Sequence, residues 1–424
     1  MQTKEIVIVG GGFAGINLSL RLADHPGFSV TLIDRNNYNF FPPLLYQVAT
    51  GFLESSNICY PFRKLFQHKK NLHFRIGDLI RIQDQEKKLI LTTGECSYDE
   101  LVLATGTETN FFGMENVKKF AIPMKTVNDA LGMRNHFLQK LEEATFEKDP
   151  VERMRLMTIV VAGGGPTGVE VSGMLAELKK NILSKDYPEL SPEEVSNSNI
   201  YLVDAGNALL APMSVQSQKQ TAGALGKMGV IIKLSLHVTD YDGEKVSLSN
   251  GESIDTKSLI WAAGVTAGRM DGIGPDHYGK NNRLLVDEFN RLIGMEHIYA
   301  IGDNCLLSKD PLYPSGHPQV AQVAIQQARN LSHNLLAGEK GEALKAFRYH
   351  DKGSMAIIGR NKAVADLPNK MHFSGFIAWF IWVFVHLVSL INYRNRVKTL
   401  YNWMIAYFTK DQSLRMIIRP EKKK

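Results

Sequence analysis

Cysteine is scarce in this chain, and so is any imbalance of charge. Its 424 residues include three cysteines, Cys59, Cys96 and Cys305. None stand as C-x-x-C and no Cys/His group has zinc-ligand spacing, which argues against a dithiol active site and a metal centre. So few thiols suit a reducing compartment. The net charge is a mild +6, with no nucleic-acid-binding signature beside it, so no nucleic-acid partner is expected. Solenoid repeats are absent, as is low complexity beyond the terminal EKKK. No charged n-region precedes an apolar h-region, so no signal peptide is expected. What remains is ordinary globular composition, 44% hydrophobic and 22% charged, on a length that suggests two or three domains.

Gly/Pro punctuation separates β-rich runs from helical periodicities, which reads as α/β. A strand is expected over 5–9, a helix over about 13–24 and a strand over 29–33. A second such unit begins at Met157, with a helix from about Gly168 to Leu183. The polar stretch SKDYPELSPEEVSNSN then precedes a strand at Ile200–Val203. Residues 285–303 return to a strand and a Gly-Asp turn, a helix covers about 319–336, and the tail changes character at Gly375.

Two stretches in these units share a pattern. IVIVGGGFAG (6–15) holds G-x-G-x-x-G at Gly10, Gly12 and Gly15, and Asp34 closes the next strand. TIVVAGGGPTGVEVSG (158–173) repeats it at Gly163, Gly165 and Gly168, with Asp204 at the end of the following strand. The first glycine permits a tight turn, the second lets a pyrophosphate approach, and the third lets helix and strand pack closely. The helix N-terminus offers free N–H groups to phosphates, and the acid accepts ribose hydroxyls. A carboxylate at 204 with no arginine beside it favours NADH over NADPH. Two such sites imply paired Rossmann-like domains, the first holding FAD permanently and the second binding NADH transiently for hydride transfer.

Further stretches narrow this. YDELVLATGTETNFFG (98–113) carries Ala104-Thr105-Gly106, and LIWAAGV (259–265) with Gly264 is its counterpart. IYAIGDNC (298–305) places Asp303 in a Gly-Asp turn, AQVAIQ (321–326) follows, and NFFPPLLYQVATG (39–51) precedes them. Together with the tail GFIAWFIWVFVHLVSLINYRNR (375–396), these resemble type II NADH:quinone oxidoreductases (alternative NADH dehydrogenases), within the two-dinucleotide-domain flavoproteins. The likeness covers essentially the whole chain. Asp204 stands where that family often has Glu, and Pro42 where some relatives have Thr.

The resemblance implies an FAD enzyme that oxidises NADH and reduces a membrane quinone by two electrons, without proton pumping. It implies an FAD-binding domain at 1–113 and 294–345, an NADH-binding domain at 114–293, and a membrane-anchoring C-terminal domain at 346–424. Asp303 would bind the ribityl chain, and Ala321 with Gln322 would open a helix toward the flavin. Gln322 and Gln326 share a helix face. Residue chemistry alone favours a solvated face there, whereas the resemblance sets both beside the quinone head. Glu170 admits two readings: complementing the helix dipole, or serving as an acid near nicotinamide and flavin. Lys352 is read as a solvated lysine, with a place near the quinone pocket as the alternative.

The apolar run 375–391, with Trp379, Trp382 and His386, falls short of the ~20 residues of a spanning helix. Arg394, Arg396 and Lys398 follow, then Tyr401, Trp403, Tyr407 and Phe408. Aromatics beside basic residues suit a bilayer surface, with a buried core helix or a homodimer interface as the competing uses. The expected location is the inner membrane, bound peripherally on its cytoplasmic face. Rival functions are a soluble NADH-dependent flavoprotein reductase, a sulfide:quinone oxidoreductase using Cys59 and Cys305, and a membrane-associated redox sensor.

Overall fold

A computed structural model describes residues 3–409 and 414–418; the terminal EKKK run lies outside them. The chain divides into two compact units. Unit one comprises residues 1–40, 60–108 and 265–351, and unit two comprises 41–59, 109–264 and 352–424.

Unit one is built on a five-stranded parallel sheet in the order Ile298–Ala300, Glu100–Leu103, Lys4–Val9, Phe28–Asp34, Leu72–Ile76. Ile6, Val7, Ile8 and Val9 are all buried. A central parallel strand is covered on both faces, so it reads as an unbroken apolar run rather than an alternating one. The helix Phe13–Leu22 follows the first strand. A three-stranded antiparallel meander, Leu79–Gln83, Lys88–Leu91 and Gly94–Ser97, leads into the strand Glu100–Leu103.

Unit two repeats this plan. Its parallel sheet runs Ile122–Pro123, Leu259–Trp261, Ile159–Ala162, Ile200–Asp204, Val230–Leu234. The helix Pro166–Leu178 follows the central strand. An antiparallel meander, Val238–Tyr241, Lys245–Leu248 and Ser253–Asp255, leads into the strand Leu259–Trp261. The duplication suspected from two glycine turns thus extends to sheet order and meander. Unit two also holds the antiparallel sheet Ser354–Gly359, Lys362–Leu367, Met371–Ser374, and the helices Gly375–Ser389 and Tyr393–Thr409.

These divisions differ from the expected cuts. Residues 265–293 fold with unit one because Ile273, Leu284, Val286 and Leu292 enter its core. Residues 41–59 fold with unit two, where Gln47 accepts from the Trp403 indole at 2.7 Å and the Cys59 carbonyl accepts from Asn395 at 3.0 Å. The expected helix 168–183 breaks at Leu178, and Lys179–Leu183 forms a π-helical turn.

Candidate active site

In unit one the first turn has the geometry its glycines suggest. Gly10 has φ +103°, a region L side chains avoid, and any Cβ on it would strike the Ala104 carbonyl. Gly15 lies against the Gly10 carbonyl with no room for a methyl group. Gly12 differs: nothing lies within 4 Å of where its Cβ would be. It caps the helix Phe13–Leu22 without a side-chain hydrogen bond, so open space faces uncapped N–H groups. Asp34 accepts from Gly11 N at 2.6 Å and from Asn36 N at 2.7 Å. Each of its oxygens keeps a lone pair for a ribose hydroxyl. Burial raises its pKa, and those two N–H groups oppose the rise.

Unit two reproduces this contact by contact. Gly163 has φ +113° and sits under the Ala262 carbonyl; Gly168 lies on the Gly163 carbonyl; Gly165 has nothing within 4 Å of its Cβ position. Asp204 accepts from Gly164 N at 2.5 Å and Gly206 N at 2.7 Å. Gly264, at the end of the counterpart strand, lies under the Phe112 ring, and its carbonyl accepts from Asn110 N at 3.0 Å.

The Gly-Asp turn joins the first site. Ala104 N donates to the Val9 carbonyl at 2.8 Å, beside the glycine turn. Gly106 has φ +66°. Asn304, fully buried, donates to the Leu103 carbonyl and to Thr105 Oγ1, each at 3.1 Å. The Asp303 carbonyl accepts from Gln319 at 2.9 Å. The helix Ala321–Glu339 begins without a side-chain cap. Thus Gly10, Gly12, Gly15, Asp34, Ala104, Thr105, Gly106 and Asp303 belong to one unit, and Gly163, Gly165, Gly168, Asp204 and Gly264 to the other.

The two glutamines of AQVAIQ have partners that the sequence did not suggest. Gln326 clamps the chain at His350: its Nε2 donates to the His350 carbonyl at 2.9 Å, and His350 N donates to its Oε1 at 3.0 Å. Gln322 donates to Asp351 at 3.4 Å. The next residue after the motif, Gln327, was missed. It is buried, accepts from Gly302 N at 2.7 Å and touches Cys305 Sγ, so it props the Gly-Asp turn from behind.

Glu170 is buried in unit two, and it does not lie in the first turn of its helix, which removes the dipole reading. Its Oε1 accepts from Ile357 N at 3.4 Å. Burial pushes its pKa up to about 8, with Ile357 N and the Trp382 indole pulling the other way. The carboxyl therefore carries a proton at neutral pH.

Beside it, unit two encloses an apolar cavity of about 90 Å³. Trp379, Trp382, Trp403 and Tyr407 wall it, with Glu177, Asn181 and Arg360 among its few polar groups. Trp382 is 1% exposed and stacks on His386 at 4.0 Å. Trp379 and Trp403 are half-buried. The outward face carries Phe376, Ile377, Phe380, Phe384, Tyr401 and Phe408, all exposed. No described helix is long and apolar enough to cross a membrane.

All three cysteines are free thiols. Burial pushes Cys59 up to about 12 and Cys305 up to about 11, so both stay protonated, and nucleophilic sulfur chemistry needs the thiolate. No group of residues suited to a metal ion occurs among the described residues.

Comparison with known proteins agrees with this geometry. Residues 4–328 match the family described as pyridine nucleotide-disulphide oxidoreductase, and residues 351–412 match the NDH2 C-terminal domain. The chain is 35% identical to the type II NADH:quinone oxidoreductase NdhA of Mycobacterium tuberculosis, covering 95% of this chain and 87% of that one. It is 33% identical to that organism's Ndh, covering 96% and 89%. A solved structure of NDH2 from Plasmodium falciparum in complex with NADH superposes with a TM-score of 0.89 at 23% identity, over 99% of this chain and all of that one.

Proposed function

The chain belongs to the type II NADH:quinone oxidoreductases, and from that premise we propose which of its parts carry the reaction. It is an FAD-dependent enzyme that oxidises NADH and reduces a quinone. Bound FAD takes hydride from NADH and passes two electrons on. The observation that carries our assignment is the pair of matched turns, each with one open glycine before an uncapped helix. Both fit a pyrophosphate.

In this reading Gly10, Gly12, Gly15 and Asp34 hold the adenosine half of FAD. Ala104, Thr105, Gly106 and Asp303 line its other half, and the helix start at Ala321 and Gln322 faces the flavin. Gly163, Gly165, Gly168, Asp204 and Gly264 take NADH, with Asp204 on the ribose. Glu170 holds a proton on the nicotinamide side. Gln322 and Gln326 stay on the acceptor side through the family resemblance, and the hold of Gln326 on His350 also fixes the chain there. The tryptophan-walled cavity receives the quinone, whose apolar ring and tail match its lining. The exposed aromatic face of the two C-terminal helices, with Arg394 beside it, lies on the inner membrane at its cytoplasmic side, where a lipid-soluble acceptor is within reach. A homodimer is the rival use of that face. No proton is pumped.

The test is anaerobic. NADH added to purified protein should bleach the flavin absorbance, and menaquinone or ubiquinone should restore it. A protein that stays colourless after reconstitution with FAD refutes the reading.

A further inference from the structure

Reduction of a quinone by NADH consumes a proton: NADH + H⁺ + Q gives NAD⁺ + QH₂. The electron pair and one hydrogen come from NADH, and something must supply the remaining proton in a pocket lined by apolar rings. The cavity of unit two names few candidates. Gln47 and Thr50 also line it, but their polar groups are committed. Gln47 donates to the Tyr46 hydroxyl and accepts from the Trp403 indole, and the Thr50 hydroxyl donates to the Tyr46 carbonyl at 2.9 Å. That leaves Glu177, Asn181, Arg360 and the Tyr407 hydroxyl, and Glu177 is the one carboxyl among them.

Three observations single out Glu177. First, it stands on the cavity wall with one carboxyl oxygen engaged, Oε1 accepting from Arg360 N, while Oε2 makes no hydrogen bond among the described residues. Second, it is half-buried, whereas Glu170, two helical turns earlier, is buried and is not on the wall. A proton donor must be recharged from water at every turnover, which suits the half-buried acid. Third, the helix changes to π geometry two residues on, at Lys179–Leu183, and Asn181 of that turn lines the cavity. Such π turns are rare and concentrate at functional sites. The Arg360 Nε is buried without a hydrogen-bond partner among the described residues, and its guanidinium lies 4.3 Å over the Tyr407 ring.

We propose that Glu177 is the acid that gives the quinone its proton, held in place by the Arg360 main chain. This rests on the cavity being the quinone pocket. In the step, the Glu177 O–H bond breaks and its electron pair stays on the carboxylate. A quinone oxygen forms the new O–H bond, and water then reprotonates the carboxylate.

The groups facing Glu177 set its charge. Burial raises its pKa, and Arg360, Lys362 from the neighbouring strand and Lys180 from its own helix oppose this. Tyr46, from the helix Leu45–Ala49, is itself pushed up by burial and stays neutral. His386, against Trp382, is pushed down to about 4 by burial and is neutral as well.

The experiment compares the full chain with Glu177→Gln and Glu177→Asp in detergent, from about pH 6 to about pH 9. Gln can still accept from Arg360 N, so the fold is kept, and three of the four tryptophans line the cavity, so quenching by menadione reports quinone Kd without turnover. The expected result is a Glu177→Gln kcat for quinone down about 100-fold, with Kd and quinone KM within about threefold of the parent. The fall of parent turnover with rising pH should vanish in Glu177→Gln and persist in Glu177→Asp. Retained turnover with an unchanged pH limb in Glu177→Gln would overturn the proposal. So would lost affinity with kcat intact, which is the mark of a merely structural role. A parent that bleaches with NADH but reduces no quinone overturns the functional reading, and this inference with it.

Discussion

Gly165 and Gly168 lie three residues apart in one turn, yet alanine at each should fail in opposite ways. A Cβ built on Gly168 would stand 1.8 Å from the Gly163 carbonyl oxygen, and real Cβ contacts essentially never fall below 3.0 Å. The helix Pro166–Leu178 would have to retreat by more than about 1 Å from a buried strand, where overpacking costs about 1–3 kcal/mol. At Gly165 a Cβ meets nothing within 4 Å, and the residue sits at φ −73° and ψ −177°, a conformation any residue adopts. As an N-cap, glycine exceeds alanine by roughly 0.5–1 kcal/mol, and alanine recovers about 0.4–1 kcal/mol by restricting the unfolded chain, so the two nearly cancel. Gly165→Ala should therefore melt within about 2 °C of the parent. Its new methyl instead fills the space before the uncapped N–H groups. A displaced pyrophosphate loses about 1.4–3 kcal/mol, a rise in NADH KM of about 10- to 100-fold. Gly168→Ala should show a lowered Tm and poor yield. Thermal melts and steady-state NADH oxidation with saturating quinone separate the two. Gly12→Ala is the control: the same open geometry in unit one predicts lost flavin with little change in NADH KM. Parent-like NADH KM in Gly165→Ala, or parent-like Tm in Gly168→Ala, refutes the reasoning.

Glu170 gives a stability prediction whose sign follows from its raised pKa. Between its unfolded value of 4.5 and its folded value of about 8 the native state holds the extra proton, so stability falls as pH rises through that window and levels off above it. Glu170→Gln should remove that slope and be the more stable form at high pH, on the order of a few kcal/mol; parallel melting curves for the two proteins across the window would refute the burial argument. For the membrane face, replacing Phe376, Phe380 and Phe384 with serine should move the protein from the membrane fraction to the soluble one while Tm holds, because all three are more than half exposed. Truncation at Gly375 is a poorer test, since it also strips buried Trp382 and Ala378 from unit two. Unchanged fractionation of the triple variant would leave the face to a homodimer.

How much of this was legible in the sequence depends on how far apart the cooperating residues stand. The turns were readable because everything that makes them lies within one strand–turn–helix: a carbonyl overhead demands glycine at 10 and 163, and close helix packing demands it at 15 and 168. The acids were readable because a parallel neighbour strand must end beside the turn, as Asp34 and Asp204 do. An apolar run declares that it is buried in something, but only the helix phase says in what. Trp379 and Trp382 turn toward the unit's interior while Phe376, Phe380 and Phe384 on the same helix turn out. Glu177 carried no signal at all, because its partners come from segments joined only by folding: Arg360 from a hairpin almost two hundred residues on, and the cavity rings from two later helices. Gln326 shows the opposite case: a motif singled out the amide, but nothing local announced that it also holds the main chain at His350, 24 residues away. Local chemistry therefore announces the two glycine turns and their acids. The tryptophan-walled cavity, assembled from distant and individually bland residues, emerges only from the packed structure, and that is where mutagenesis has most to reveal.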